Sequence, residues 1–208
     1  MNSEWRFGIW PCRLGCLLLG LRAFAAAVSA HQLDEYLQAT LVDIEPGSIR
    51  LQMNLTPGVA VAGKVLALVD RDRDGVISTN ETAAYIELLK RDLSVHLDGR
   101  DLELRATRSY CPNSAELRTG WAYIQVEYSA KTGVLKPGLH KLTIINRHLS
   151  GVSAYLLNAT QPSSPVVEVT RQTRTENQSA GEIEFTVRVR DEAKPATEPR
   201  PRDRAAAP

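Results

Sequence analysis

The chain has 208 residues, with 25 Lys and Arg residues against 24 Asp and Glu residues, and 43% of its residues are hydrophobic. This near-neutral charge argues against nucleic acid as a partner. Once the terminal segments are set aside, the length suffices for one domain with a substantial core.

The N-terminal segment has the organisation of a secretory signal peptide. Arg6 and Arg13 precede an apolar run at 14–21, and small residues ending at Ala30 offer a cleavage site. The run is far shorter than the roughly 20 residues of a transmembrane helix. We therefore expect a secreted or periplasmic protein, cleaved after Ala30, with no membrane span in the mature chain. Loss of residues 1–30 removes three basic residues and one acidic residue, which leaves 22 basic against 23 acidic residues.

The mature chain begins with a predicted β-hairpin. Apolar side chains recur at alternate positions over 37–41 and 49–55, and the Glu-Pro-Gly-Ser sequence at 45–48 has the composition of a turn. Alternation of this kind is typical of strands with one buried face.

The twelve residues 70–81 place oxygen donors in the pattern of a calcium-binding EF-hand loop. A Ca²⁺ ion takes about 6 to 8 oxygen ligands, which such a loop supplies from its positions 1, 3, 5, 7, 9 and 12. Gly75 occupies position 6, where the chain must turn sharply. Ca²⁺ is therefore the expected cofactor. The predicted ligands are Asp70, Asp72, Asp74, the backbone carbonyl of Val76, Ser78 and Glu81.

The segments on both sides of the loop have helical patterns, so the EF-hand is expected to span about residues 59–92. A simpler interpretation is also open, because Asp-Gly is a common turn and Ser78 with Glu81 forms a capping box that starts a helix. That interpretation does not explain the alternating aspartates before Gly75. Since the loop is single, we expect it to pack against something other than a second EF-hand and not to act as a cooperative sensor.

Further alternating segments follow the predicted EF-hand. A second hairpin is predicted across the Asp-Gly turn at 98–99. The predicted strands lie at 93–97, 102–104, 121–128, 139–146, 153–158, 166–172 and 183–189. The fold class is therefore predicted as mainly β, with a β-sandwich-like domain at 31–190 and one inserted EF-hand helix-loop-helix. Residues 191–208, rich in Pro, Ala and Arg, are predicted to be disordered.

The sequence carries no pattern typical of an enzyme. It lacks a Gly-x-Ser-x-Gly elbow, a phosphate loop, a His-Glu-x-x-His helix and a paired Cys-x-x-Cys. Asp34 and Glu35 are neighbours, and neighbours on a strand point to opposite faces. Cys111, the one cysteine that remains after cleavage, fits a small buried thiol better than a nucleophile. We therefore predict no catalytic residue and no residue that binds an organic cofactor.

Several segments together resemble a known family. They are the sequence Ala-His-Gln-Leu-Asp-Glu-Tyr at 30–36, the hairpin, the Asp-x-Asp-x-Asp-Gly loop, Tyr-Cys-Pro at 110–112 and Tyr-Leu-Leu-Asn at 155–158. Over residues 31–190 the chain resembles the extracytoplasmic N-terminal domain of permease-like hydrogenase/urease accessory proteins. The hydrophobic helices of those proteins have no counterpart here. The resemblance therefore implies a soluble or surface-associated companion domain and not nickel transport.

Two functions follow from these patterns. The first is an exported calcium-binding β-domain without enzymatic activity, in which the ion stabilises the fold and the surface contacts an unidentified protein or envelope component. Extracellular calcium modules bind with dissociation constants of about 10⁻⁴ to 10⁻³ M. The second is a copper- or nickel-handling accessory protein. In it, the amine and imidazole of a mature N-terminal His31 would chelate the metal together with His96, His140 or His148.

Overall fold

A computed structural model describes residues 34–188, which form two five-stranded β-sheets and three helices. The predicted signal peptide, His31 and the predicted disordered tail lie outside the described residues. The strands are β1 (Tyr36–Glu45), β2 (Ser48–Pro57), β3 (Leu93–Leu97), β4 (Arg100–Asp101), β5 (Arg105–Tyr110), β6 (Ile124–Lys131), β7 (Gly138–Asn146), β8 (Ser153–Ala159), β9 (Val167–Arg174) and β10 (Ala180–Val187). The helices are α1 (Ala62–Val69), α2 (Thr79–Arg91) and α3 (Ser114–Leu117).

The two sheets form a β-sandwich, which confirms the predicted fold class. Sheet A has the strand order β5-β6-β2-β1-β8, and sheet B has the order β4-β3-β7-β10-β9. All pairings are antiparallel except that of β1 with β8, which run parallel. Alternate side chains of both sheets, such as Leu51 of β2 and Phe185 of β10, are fully buried in one shared hydrophobic core.

The first hairpin forms as predicted. Strands β1 and β2 pair over their whole length, from Glu45 opposite Ser48 to Tyr36 opposite Pro57. The turn needs a residue with positive φ, which Gly47 supplies at +97°.

The helix-loop-helix is the first of several connections between the two sheets, because it joins β2 of sheet A to β3 of sheet B. Its apolar side chains enter the same core as those of the strands. The buried apolar residues are Ala62, Val65, Leu66, Val69, Tyr85, Ile86 and Leu89. This burial explains the helical periodicity of the sequence, since both helices are amphipathic and turn one face to the sandwich.

The structure corrects several predicted boundaries. The strand predicted at 102–104 is the two-residue strand β4 at Arg100–Asp101, and β6 begins at Ile124, which leaves Trp121 exposed. Strand β5 and helix α3 were not predicted. Within the described residues, no helix is long and apolar enough to cross a membrane.

Gly181 of β10 packs tightly against β9 of its own sheet and against β8 of sheet A. A Cβ atom on Gly181 would lie 2.7 Å from the carbonyl oxygen of Thr173 and 2.8 Å from Cδ2 of Leu157. We therefore expect Gly181→Ala to lower the free energy of unfolding by about 1–3 kcal/mol, as overpacked cores do. Urea unfolding measures the loss. Gly151→Ala is the matched control, because a Cβ there meets nothing within 4 Å, and equal unfolding midpoints for the two variants would contradict the prediction.

Candidate metal centre

Three of the predicted ligands lie together in the loop between α1 and α2. Asp70, Asp72 and Asp74 each place one carboxylate oxygen within 4.8 Å of the others. Among residues 34–188 this is the one group of three or more His, Cys, Asp or Glu side chains with that geometry. Asp70 is buried, whereas Asp72 and Asp74 are exposed, so the cluster is anchored on one side and open to solvent on the other.

Backbone N–H groups of the loop hold the three carboxylates in place. Gly75 N–H donates to Asp70 Oδ2 at 3.2 Å, Asp74 N–H to Asp72 Oδ1 at 3.2 Å, and Val76 N–H to Asp74 Oδ1 at 2.7 Å. The tight coil requires positive φ at Gly75, which has φ +86°, and also at Arg73, which has φ +63°. A non-glycine residue adopts this conformation at a cost of roughly 1–2 kcal/mol.

One oxygen of the cluster lacks a hydrogen-bond partner. Asp70 is 7% exposed, and within the described part of the chain its Oδ1 is the one buried side-chain polar atom without a partner. A buried polar group left in this way costs about 1–3 kcal/mol, and more when it is charged. A cation held by the three carboxylates would remove that cost, so the donor set fits a metal ion that prefers oxygen ligands.

Glu81 and Ser78 are not part of this cluster, because they form the capping box of α2. Glu81 Oε2 accepts from Ser78 N–H at 2.9 Å and from Ser78 Oγ at 2.8 Å, and Oε1 accepts from Arg71 N–H at 2.7 Å. These hydrogen bonds, led by that from Ser78 N–H, lower the pKa of Glu81 to about 2. The Val76 side chain is exposed, and its predicted role as a ligand through the backbone carbonyl stays a prediction. The segment thus has the features of both sequence interpretations.

Comparisons with known protein families, curated proteins and solved structures find no significant match to this chain. The resemblance to the accessory-protein domain therefore stays a prediction, and the chemistry of the centre is inferred from its own atoms.

A buried chain of hydrogen bonds, which the sequence patterns did not predict, connects α2 to the sandwich. Tyr36 OH and Tyr85 OH lie 2.6 Å apart, Tyr85 OH lies 3.0 Å from His148 Nε2, and His148 Nδ1 lies 2.7 Å from Asp92 Oδ2. Tyr36, Tyr85 and His148 are each at most 1% exposed. Burial raises the pKa of both tyrosines, so both hydroxyls stay protonated at neutral pH.

The backbone of His148 is held as firmly as its ring. Its carbonyl accepts from Gln38 Nε2 at 2.8 Å and from Tyr155 OH at 2.9 Å, and its N–H donates to Asn146 Oδ1 at 2.9 Å. Asn146 Nδ2 in turn donates to Gln38 Oε1 at 2.8 Å. In the sequence, this network is marked only by polar residues such as Gln38 at inward-facing strand positions. Two partners of Gln38, which are Asn146 and His148, lie more than 100 residues away in sequence.

The described histidines do not share a metal site. His96 Nδ1 lies 2.5 Å from Asp101 Oδ1, His140 Nδ1 lies 2.8 Å from Asp98 Oδ2, and His148 bonds to Asp92. His31 lies outside the described residues. The copper-chelating arrangement therefore remains a prediction from sequence without a structural counterpart in residues 34–188.

Cys111 is half-buried, and burial raises the pKa of its thiol to about 11, although a hydrogen bond with the Thr82 side chain opposes the shift. The side chain is therefore a neutral thiol near pH 7. This agrees with its interpretation as a small structural residue, because the thiolate is the reactive form.

His148 and His140 are expected to change the free energy of unfolding with pH in opposite directions. Burial lowers the pKa of His148 despite the opposing effect of Asp92. The unfolded state, with a pKa near 6.5, therefore binds more protons, and stability falls as the pH drops below about 6.5. His140 is also desolvated, but its hydrogen bond to Asp98 outweighs this and raises the pKa. The contribution of His140 to the free energy of unfolding is complete below about pH 6.5, and it is lost as the pH rises through the pKa of His140 in the folded protein.

Urea unfolding between pH 5 and 8 tests both signs. His148→Gln should lose less stability on acidification than the parent chain, and His140→Gln should lose more. Identical profiles for the two variants would show that these environments do not control the titration.

The thiol of Cys111 should react slowly in the folded protein. In a chain starting at His31, where Cys111 is the one cysteine, a pKa of about 11 leaves on the order of 100-fold less thiolate at pH 8 than an ordinary cysteine. An aromatic disulfide reagent followed by absorbance measures the rate. The same chain in urea is the control, and equal rates in the two states would contradict the raised pKa.

Proposed function

We propose that this chain is an exported calcium-binding β-sandwich domain without enzymatic activity, in which the ion stabilises the helix-loop-helix and, through it, the sandwich. The observation that carries the proposal is the buried Asp70 Oδ1, which has no hydrogen-bond partner and belongs to a cluster of three carboxylates. A cation held at this position would compensate the unpartnered oxygen.

The donor set favours calcium over other cations. All the candidate ligand atoms are oxygens, which suits hard cations, and no Cys or His ligand joins the described cluster. Asp72 and Asp74 are exposed, so water can complete a coordination sphere of variable number. Mg²⁺ demands near-ideal octahedral geometry, whereas Ca²⁺ accepts six to eight ligands with flexible geometry. The twelve-residue spacing from Asp70 to Glu81 supports the same choice.

Stabilisation of the loop would extend to the sandwich because both flanking helices are buried in its core. Val69 at the end of α1 is fully buried, and Tyr128 OH of β6 donates to the Ile86 carbonyl of α2 at 2.7 Å. A cation that binds only the folded loop would therefore stabilise the whole domain by mass action.

Export and a partner complete the proposal. The signal-peptide pattern of residues 1–30 supports export to a secreted or periplasmic location. On the outer face of sheet A, within residues 34–188, Leu41 and Leu156 are exposed at 43% and 41% beside a concavity of about 360 Å³. This face supports contact with another protein or an envelope component.

Calcium should raise the melting temperature of the protein. With dissociation constants of about 10⁻⁴ to 10⁻³ M, 10 mM Ca²⁺ adds roughly 1.4–2.7 kcal/mol, or about 3–10 °C for a domain of this size. Asp70→Asn keeps the shape of the side chain and removes its charge, so the variant should lose the calcium-dependent rise and the heat of binding. Thermal unfolding and isothermal titration calorimetry measure the two effects.

Asp101→Asn is the matched control, because Asp101 is exposed and lies outside the loop. It should keep the full response to calcium. Parallel titrations with Mg²⁺, Cu²⁺ and Ni²⁺ test the competing metal-handling function. Equal melting temperatures of the parent chain in chelator and in 10 mM Ca²⁺, with no heat of binding, would overturn the proposed function.

A further inference from the structure

We infer that Ser114 is a positioning residue of the cation site. Ser114 belongs to the segment 113–118, which contains α3 and contacts the loop. The inference rests on the proposed function and deepens it. Its starting point is a hydrogen bond between two segments that are 39 residues apart in sequence, in which Ser114 Oγ donates to the Gly75 carbonyl at 2.7 Å.

Gly75 is held from both sides. Its N–H donates to Asp70 Oδ2 at 3.2 Å, and its carbonyl accepts from Ser114. The first of these bonds orients the carboxylate whose other oxygen, Oδ1, has no partner. Ser114 therefore acts on Asp70 through Gly75, because fixing the carbonyl side of this glycine limits rotation of the backbone that carries its N–H.

Ser114 is presented from a fixed backbone. Asn113 and Glu116 form a capping box at the start of α3, in which Glu116 N–H donates to Asn113 Oδ1 at 2.9 Å and Asn113 N–H donates to Glu116 Oε2 at 3.1 Å. Leu117 is fully buried and anchors the segment in the core of the sandwich. The hydroxyl of Ser114 thus has a defined position relative to the loop.

The loop and α3 face each other closely. A Cβ atom on Gly75 would lie 3.7 Å from Ser114 Oγ. Asp70, Gly75, Ser114 and Arg118 line a shared concavity of about 300 Å³. The buried aspartate therefore lies beside residues of α3 as well as those of its own loop.

The test compares calcium binding by Ser114→Ala and Ser114→Thr. A typical hydrogen bond contributes about 0.5–1.5 kcal/mol, so Ser114→Ala should weaken calcium binding by roughly 2- to 13-fold. Ser114→Thr keeps the hydroxyl and should bind within about twofold of the parent chain. Isothermal titration calorimetry with Ca²⁺ measures the dissociation constants, and thermal unfolding in chelator measures the cation-free stability. Ser179→Ala is the control, because that hydroxyl bonds only within its own turn, to Asn177.

The outcomes separate this inference from the proposed function. A purely structural hydrogen bond would lower the melting temperature equally with and without calcium, and the dissociation constant would not change. That result, in a parent chain that binds calcium, overturns the role of Ser114 and leaves the proposed function intact. If the parent chain binds no calcium, both proposals fail.

Discussion

The hydroxyl of Tyr85 makes the contacts that fix helix α2, and with it one end of the loop that carries the three aspartates. It lies between Tyr36 of sheet A and His148, and His148 bonds in turn to Asp92 directly after α2. Because α2 begins at the loop and ends at β3, this one helix connects the cluster of aspartates to both sheets. Shifting it by one turn would break the hydrogen-bond chain and leave buried polar groups unpaired, at about 1–3 kcal/mol for each group.

Apolar burial and polar contacts have different roles in holding the helix-loop-helix. Each fully buried Val, Leu or Ile side chain contributes about 1.5–3 kcal/mol, and Val65, Val69 and Leu89 are such residues. Such contacts tolerate small shifts, because apolar surfaces are not directional. The directional hydrogen bonds of Tyr85 and of the Ile86 carbonyl fix the position of α2, and thereby the end of the loop from which α2 starts.

The sequence alone predicted those features that depend on residues close together in the chain. Alternation identified β1, β2, β7 and β10, because each turns one face to the core. Strand β5 was missed because all six of its residues are exposed at the edge of sheet A, so it has no alternation to detect. Acidic spacing located Asp70, Asp72 and Asp74, and the structure brings them together. Ser114 and His148 could not be found in this way, since their partners are distant in sequence and no short-range period links them.

The hydrogen bonds of Glu81 would weaken cation binding by the loop, although the loop has all the expected types of ligand. The Glu81 carboxylate already accepts hydrogen bonds from the backbone of Ser78 and Arg71, and these bonds close the loop and start α2. Its pKa of about 2 keeps it ionised, so its charge attracts a cation at any physiological pH. To bind a cation through both oxygens, however, Glu81 must give up some of its present hydrogen bonds. Part of the free energy of the proposed cation binding would therefore go into exchanging these partners, which agrees with the low affinity proposed for the site.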